Sequence, residues 1–262
     1  MVLRIIVWLI LAFLIAPIAL IVLFSFHASA ALSFPFVGFS LRWYESLWEN
    51  RELGKALFSS LQIAFLTALV TLALGTAASL AWLRMGRWGR IGLEALTVTP
   101  IALPGLFLGV ALLVLFAQTS IQLSSVTVII GHVLLALPIL IVAMKARLTL
   151  FDPSLEEAAR DLGASQRQTF ARVTLPIIAP TLISSAVLAF AVSFDEFVVT
   201  SFVAGTQTTL PMYIWSMMRR TVDPTINAIS SLALIFSVLI LAGAWLIGHM
   251  RRRSIKAGRT PN

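Results

Sequence analysis

The chain contains no cysteine in its 262 residues. That excludes disulfides and thiol chemistry, and it leaves the compartment open. Charge is scarce as well: 11% of residues are Asp, Glu, Lys or Arg, where a soluble domain carries about 25%. The three histidines, His27, His132 and His249, are scattered. No H-E-x-x-H or similar cluster is present, which argues against a membrane-embedded enzyme and a metal site. There is no G-x-x-x-x-G-K-[ST] loop, so the chain has no phosphate cradle of that type. Segments of barrel-type alternating hydrophobicity are also missing, which leaves helices to carry the fold.

What is present is oil: 59% of the residues are hydrophobic. A spanning helix needs about 20 apolar residues. Six stretches qualify, at 5–26, 57–83, 92–116, 125–148, 177–203 and 225–250. The expected fold class is an all-α membrane protein of six transmembrane helices. Residues 1–30 mimic a signal peptide, with Arg4, an apolar run and Ala28-Ser29-Ala30. The apolar run exceeds the usual 7–15 residues of a signal core, so an uncleaved first helix is expected, bent at Pro17.

Net charge is +8, and the positions of the charges argue against nucleic acid as a partner. Six spans put both termini on one side. If that side is the cytoplasm, inside lie Arg4, Arg84, Arg87, Arg90, Lys145, Arg147, Arg160, Arg167, Arg172 and the tail Arg251, Arg252, Arg253, Lys256 and Arg259. Outside lie Arg42, Arg51, Lys55, Arg219 and Arg220. This follows the positive-inside rule. The basic tail reads as an anchor on anionic lipid.

One polar stretch, 152–176, interrupts the apolar sequence between the fourth and fifth spans. Asp152 suits an N-cap and Pro153 a first helical residue. Leu155, Ala158, Ala159 and Leu162 share one helical face. Gly163 stands where a C-cap belongs. Ser165 and Gln168 have capping-box spacing, and Pro176 suits the first turn of the following span. The expectation is a short helical elbow facing the cytoplasm.

Glu157-Ala158-Ala159, three residues, Gly163, nine residues and Val173-x-Leu175-Pro176 together resemble the EAA loop of ABC-importer inner-membrane permeases, the binding-protein-dependent transport family. Val173 stands where that family usually has Ile. The resemblance implies that the elbow is a coupling helix, with Glu157, Ala158, Ala159, Asp161 and Gly163 docking an ATPase. It also implies a second homologous permease, two ATPase subunits and an external substrate-binding protein. The location implied is the bacterial inner membrane. No cofactor belongs to this chain; ATP and Mg would sit on the partner ATPase, and the chain itself would not be an enzyme.

The remaining spans add detail. Trp43, Tyr44 and Trp48 in the outer loop 27–56 suit the headgroup belt, and the acids and bases around them suit an interfacial helix. The second span begins Leu57-Phe58-Ser59-Ser60, like the start of the family's permease domain. Gly75, Ala77, Ala78 and Ser79 permit close helix contact. Pro100, Pro104 and Gly105 break the third span, with Glu94 near its inner end; a broken helix is tolerated where it faces protein or a water-filled cavity. His132, in the fourth, reads as a buried hydrogen-bonded histidine rather than a metal ligand. The domain division expected is 1–56, a permease core 57–250 and a tail 251–262.

In the fifth span Ser193-Phe194-Asp195-Glu196-Phe197 places two adjacent acids in a membrane segment, a costly choice that points to function. Neighbours on a helix lie about 100° apart, so one acid can line a substrate pathway while the other finds a different partner. Ser193-Phe194-Asp195-Glu196 is similar to an S-L-D-D stretch of spermidine/putrescine permeases. The stretches Gly205–Pro211, Ile214–Met217 and Arg219–Ala228 also look like those proteins. The substrate implied is a small organic cation of polyamine type. Opines, phosphonates and amino-acid derivatives are the alternatives within the family. A stand-alone ion-coupled transporter is the alternative outside it, though no inverted repeat supports that.

Overall fold

A computed structural model describes residues 1–31, 34–220 and 224–257, with side-chain detail for all of these except Val98, Ile101, Ala102, Leu241 and 244–257. Every regular element among them is helical. In order they are α1 (Val2–Phe24), α2 (Arg42–Trp48), α3 (Arg51–Arg84), α4 (Arg87–Ala102), α5 (Gly105–Gln118), α6 (Ser125–Thr149), α7 (Ser154–Asp161), α8 (Gln166–Thr169), a π turn (Phe170–Thr174), α9 (Leu175–Asp195), α10 (Val198–Val203), α11 (Leu210–Arg220) and α12 (Pro224–Ala257). Four runs are long and apolar enough to cross a bilayer: Val2–Phe24, Arg51–Arg84, Ser125–Thr149 and Gln166–Asp195. Gly105–Gln118 and Pro224–Ile240 are shorter apolar helices. The chain is thus an all-helical membrane protein with four clear spans and shorter ones besides. Asp223, Arg259 and the side chains of Arg251, Arg252, Arg253 and Lys256 lie outside the described residues.

The chain divides into two compact units, 1–58 with 208–239 and 59–207 with 240–262. In the first, α1 buries none of its residues, as expected of a helix whose surroundings are lipid or another protein. The loop after it is tied down by polar ends of aromatic residues. Trp43 Nε1 donates to the His27 carbonyl at 2.7 Å, and Tyr44 OH shares a hydrogen bond with Ser25 Oγ at 2.7 Å. Trp43 and Tyr44 therefore fasten the loop as well as suiting a headgroup belt, while Trp48 is 94% exposed. The interfacial helix expected here ends at Trp48. Asn50 then accepts from the Leu53 amide at 3.0 Å and starts the next helix, so the second span begins at Arg51, earlier than the hydropathy indicated.

In the second unit, α6 packs along α9 over Leu140, Met144, Leu148, Ile178 and Leu182, with Leu72 and Leu80 of α3 against them. Ala68, Ala136 and Ala189 meet in a second cluster. A Cβ on Gly75 would lie 2.5 Å from Leu140 Cδ2, so the small residue there is what lets α3 approach α6. Two expected spans differ from single rods. The third is broken at Leu103-Pro104, between α4 and α5, because Pro104 offers no amide to continue the ladder. The fifth, expected to run 177–203, ends at Asp195; Glu196 is extended (φ −74°, ψ 115°) before α10 begins.

Candidate functional site

Two places in the second unit carry the residues singled out by sequence. The first is the elbow. Asp152 Oδ1 accepts from the Ser154 amide at 3.0 Å, so α7 starts one residue later than Pro153. The Ser154 hydrogen bonds hold the Asp152 carboxyl below its usual range. The helix ends in a Schellman motif. Gly163 N–H donates to the Arg160 carbonyl at 2.9 Å and Ala164 N–H to Ala159 at 3.0 Å. Gly163 has φ +84° with open space around it; its role is the left-handed turn and not close packing. An L-residue side chain in that conformation costs about 1–2 kcal/mol.

Ser165 and Gln168 then form a reciprocal capping box at 3.3 and 2.9 Å. α8 runs without interruption through the π turn into α9. Pro176 explains the π turn: it has no amide for the Arg172 carbonyl and its ring crowds that position, so the bonds shift one residue, with Leu175 N–H reaching Phe170 O. The elbow is braced twice. Thr174 donates its hydroxyl to Glu156 Oε1, tying α7 to the π turn. Arg147, in the last turn of α6, donates through Nε and a terminal nitrogen to the Ile177 carbonyl at 3.1 and 3.0 Å. The Thr174–Glu156 contact thus ties α7 to the continuous helix that runs from α8 through the π turn into α9.

The face of α7 that periodicity marked as apolar is uncovered. Leu155 is 46% and Leu162 90% exposed, and Glu157, Ala158, Asp161 and Gly163 are exposed while Ala159 is partly so. Glu157 enters no ion pair among the described residues. Its neighbour Glu156, which the sequence reading passed over, is the structural acid. Glu156 also lines a cleft of about 620 Å³ with Arg84, Arg160 and Arg167.

The second place is the break after α9. Asp195 ends that helix with an exposed side chain. Glu196 is turned back into the fold, where Oε1 accepts from the Val199 amide at 2.9 Å and caps α10. The two acids thus have separate roles at the helix end. Burying an unsatisfied amide costs about 1–3 kcal/mol, and Glu196 meets that need for α10.

The seat of α10 comes from residues far away in sequence. Thr127 donates to the Val203 carbonyl at 2.7 Å, closing its C-terminal end. His132, 1% exposed, lies 2.7 Å from Ser193 Oγ and 2.8 Å from Thr200 Oγ1. Thr200 itself donates to the Glu196 carbonyl at 2.8 Å. Glycines make room: a Cβ on Gly109 would lie 2.6 Å from Phe202, and one on Gly131 2.8 Å from Val199. Gly105, just after the break between α4 and α5, faces Val198 and Val199. The two helix breaks therefore adjoin. Of these residues the sequence had marked only His132 as a hydrogen-bonded core residue and Gly105 as a breaker. An acid two residues before a β-branched run, as at Glu196, was the available signal for a new helix start.

Glu94, midway along α4, pairs with Lys145 of α6 and accepts from Trp82 Nε1 at 3.2 Å. Arg90 lies over the Trp82 ring at 4.7 Å. This group ties α3, α4 and α6 together.

Residues 71–256 match the model of a family described as the binding-protein-dependent transport system inner membrane component. Among known proteins, the putrescine transport system permease protein PotI of Escherichia coli is 36% identical over 230 residues, 85% of this chain and 82% of that protein. The spermidine/putrescine transport system permease protein PotC of Escherichia coli is 32% identical over 239 residues, 91% of this chain and 90% of that protein. A chain of a bacterial ABC transporter involved in import of the acidic polysaccharide alginate superposes with a TM-score of 0.73 at 14% identity, covering 93% of this chain and 94% of that one. A chain from the alginate transporter in complex with its pentasaccharide-bound periplasmic protein gives 0.66 at 18%, covering 97% and 93%. At such identities these two structures speak to the fold alone.

Proposed function

Because the chain belongs to the family of binding-protein-dependent transport system inner membrane components, we propose that it is one permease half of an ATP-driven importer for a polyamine such as putrescine or spermidine. The observation that carries this reading is the pairing of an uncovered elbow with an exposed acid at a helix break, joined by one continuous helix. The PotI and PotC relatives support the substrate class. The charge logic agrees: a carboxylate exposed at Asp195 attracts a cation that carries several positive charges at neutral pH.

In this reading the chain spans the inner membrane six times, once in 1–56 and five times in the permease core 57–250, with both termini cytoplasmic. The exposed face of α7, with Glu157, Ala158, Ala159, Asp161 and Gly163, docks an ATPase subunit that holds ATP and Mg. Glu157 meets a basic residue there, and Leu155 and Leu162 bury apolar surface. A homologous permease completes the pathway, two ATPases drive it, and an external binding protein delivers the substrate. ATPase closure pushes α7; Thr174 and the π turn pass the motion to α9, whose end carries Asp195 into or out of the pathway. Asp195 lines that pathway, and Glu196 holds the shape of the break through its cap on α10.

Purification of the tagged chain in mild detergent tests the assembly. An ATPase pair and a second permease in the eluate support the importer. Recovery of the chain alone, with uptake that persists without the ATPase genes and follows an ion gradient, overturns it in favour of an ion-coupled transporter.

A further inference from the structure

We propose that His132 is a positioning residue for the substrate acid: it fixes the helix break at Asp195 by clamping Ser193 on one side and Thr200 on the other. The proposal rests on the reading of Asp195 as a pathway residue. The clamp has a defined direction. Thr200 has one hydroxyl hydrogen, and it is given to the Glu196 carbonyl at 2.8 Å. Thr200 Oγ1 must therefore accept from His132 Nε2–H at 2.8 Å. In the neutral ring that leaves Nδ1 as an acceptor, so the Ser193 hydroxyl donates to it at 2.7 Å. The result is a relay of donors from Ser193 through His132 and Thr200 to the carbonyl of Glu196.

That carbonyl belongs to the residue where α9 stops and the backbone becomes extended. A helix end leaves carbonyls without intrahelical partners, and buried ones need a donor from elsewhere. The relay supplies it. Because the ring is rigid and fully enclosed, Ser193 and Thr200 cannot move apart or together without breaking one of the two bonds. Asp195 lies between these two anchor points in sequence, so its direction is set by a residue that never touches it. An alanine at 132 holds neither anchor.

The test uses the complete transporter, with uptake of radiolabelled putrescine in intact cells over a range of concentrations. His132→Ala should raise the KM for uptake about tenfold, by loss of both anchors, with ATPase co-purification unchanged. The paired variant Ser193→Ala with Thr200→Val keeps the ring and removes its partners; it should give a similar rise, which guards against a folding failure of His132→Ala. The deciding arm is a double-mutant cycle with Asp195→Asn. If His132 acts through Asp195, adding His132→Ala to Asp195→Asn leaves KM where Asp195→Asn alone puts it. Equal KM in wild type, His132→Ala and the Ser193/Thr200 variant overturns the proposal. So do additive effects in the cycle, which would make His132 a packing residue. An Asp195→Asn variant with unchanged KM overturns the pathway reading instead, a result separate from either.

Discussion

The elbow and the acid break are both short helices next to a helix end, yet they are made in opposite ways. α7 is fixed by its own ends: Asp152 starts it, Gly163 stops it, and the capping box of Ser165 and Gln168 restarts the chain. Its outer face is left bare, with Leu162 90% exposed. α10 is fixed by distant residues: Thr127, His132, Gly109 and Gly131 seat it, and Val199, Thr200 and Val203 are fully buried. A piece that must be gripped from outside carries its geometry in its caps and keeps its surface free. A piece that must hold one side chain steady takes its geometry from the packed core. The contrast fits the proposed roles, coupling for the first and substrate positioning for the second.

The sharpest way to break the comparison is at Gly163. Gly163→Val puts a β-branched residue at φ +84°, and ATPase co-purification and uptake should fall to background. Gly163→Asn should retain much of both, because Asn tolerates the left-handed region and nothing crowds the site. Equal loss with Asn would mean that a steric contact matters and not the turn. At the acid break, Asp195→Asn should lower uptake at limiting putrescine about tenfold, the range of a lost charge-assisted contact. Glu196→Gln should do less, since its amide oxygen can still accept from Val199. Both variants should keep the ATPase bound, and the reverse order of effects would exchange the roles given to the two acids.

Stability separates the two regions further. Gly131→Ala adds a methyl 2.8 Å from Val199 Cγ1, and overpacking of this kind costs about 1–3 kcal/mol. A lower melting temperature in detergent would show it. Ser165→Ala removes one cap and should cost about 1 kcal/mol, seen as faster amide exchange at Gln168 with little change in global melting. The smallest effect is at Asp152. Its carboxyl is held below the ordinary range by Ser154, so it stabilises α7 at neutral pH and loses that contribution as pH falls through the lowered value. Asp152→Ala should speed exchange at the Ser154 amide at neutral pH, and the gap from wild type should close in acid.

How much of this was legible beforehand follows from the same contrast. Caps and Schellman turns are patterns of residues within about four positions, so the elbow could be read from Asp152 to Pro176 almost residue by residue. What escaped there was Glu156, whose role depends on Thr174, 18 residues away, and the π turn, which follows from the missing amide of Pro176. The break after Asp195 escaped more completely. Its partners are 61 to 76 residues distant, and the run from 177 to 203, apolar on both sides of Asp195 and Glu196, reads as one span by hydropathy. Pro104 disclosed the other break because proline cannot hide the loss of a donor. The glycines of α5 and α6 showed only smallness; that they admit Phe202 and Val199 needed the fold.

The absence of cysteine offers the most direct measurement. A single Leu162→Cys substitution, in an otherwise thiol-free chain, places a reactive group on the bare face of α7. In inside-out vesicles stripped of ATPase, a membrane-impermeant maleimide should label it fast, and adding back the ATPase subunit should protect it. In intact cells the same reagent should not reach it. Labelling from outside intact cells, or labelling indifferent to the ATPase, would contradict the claim that this elbow is the cytoplasmic seat of the motor.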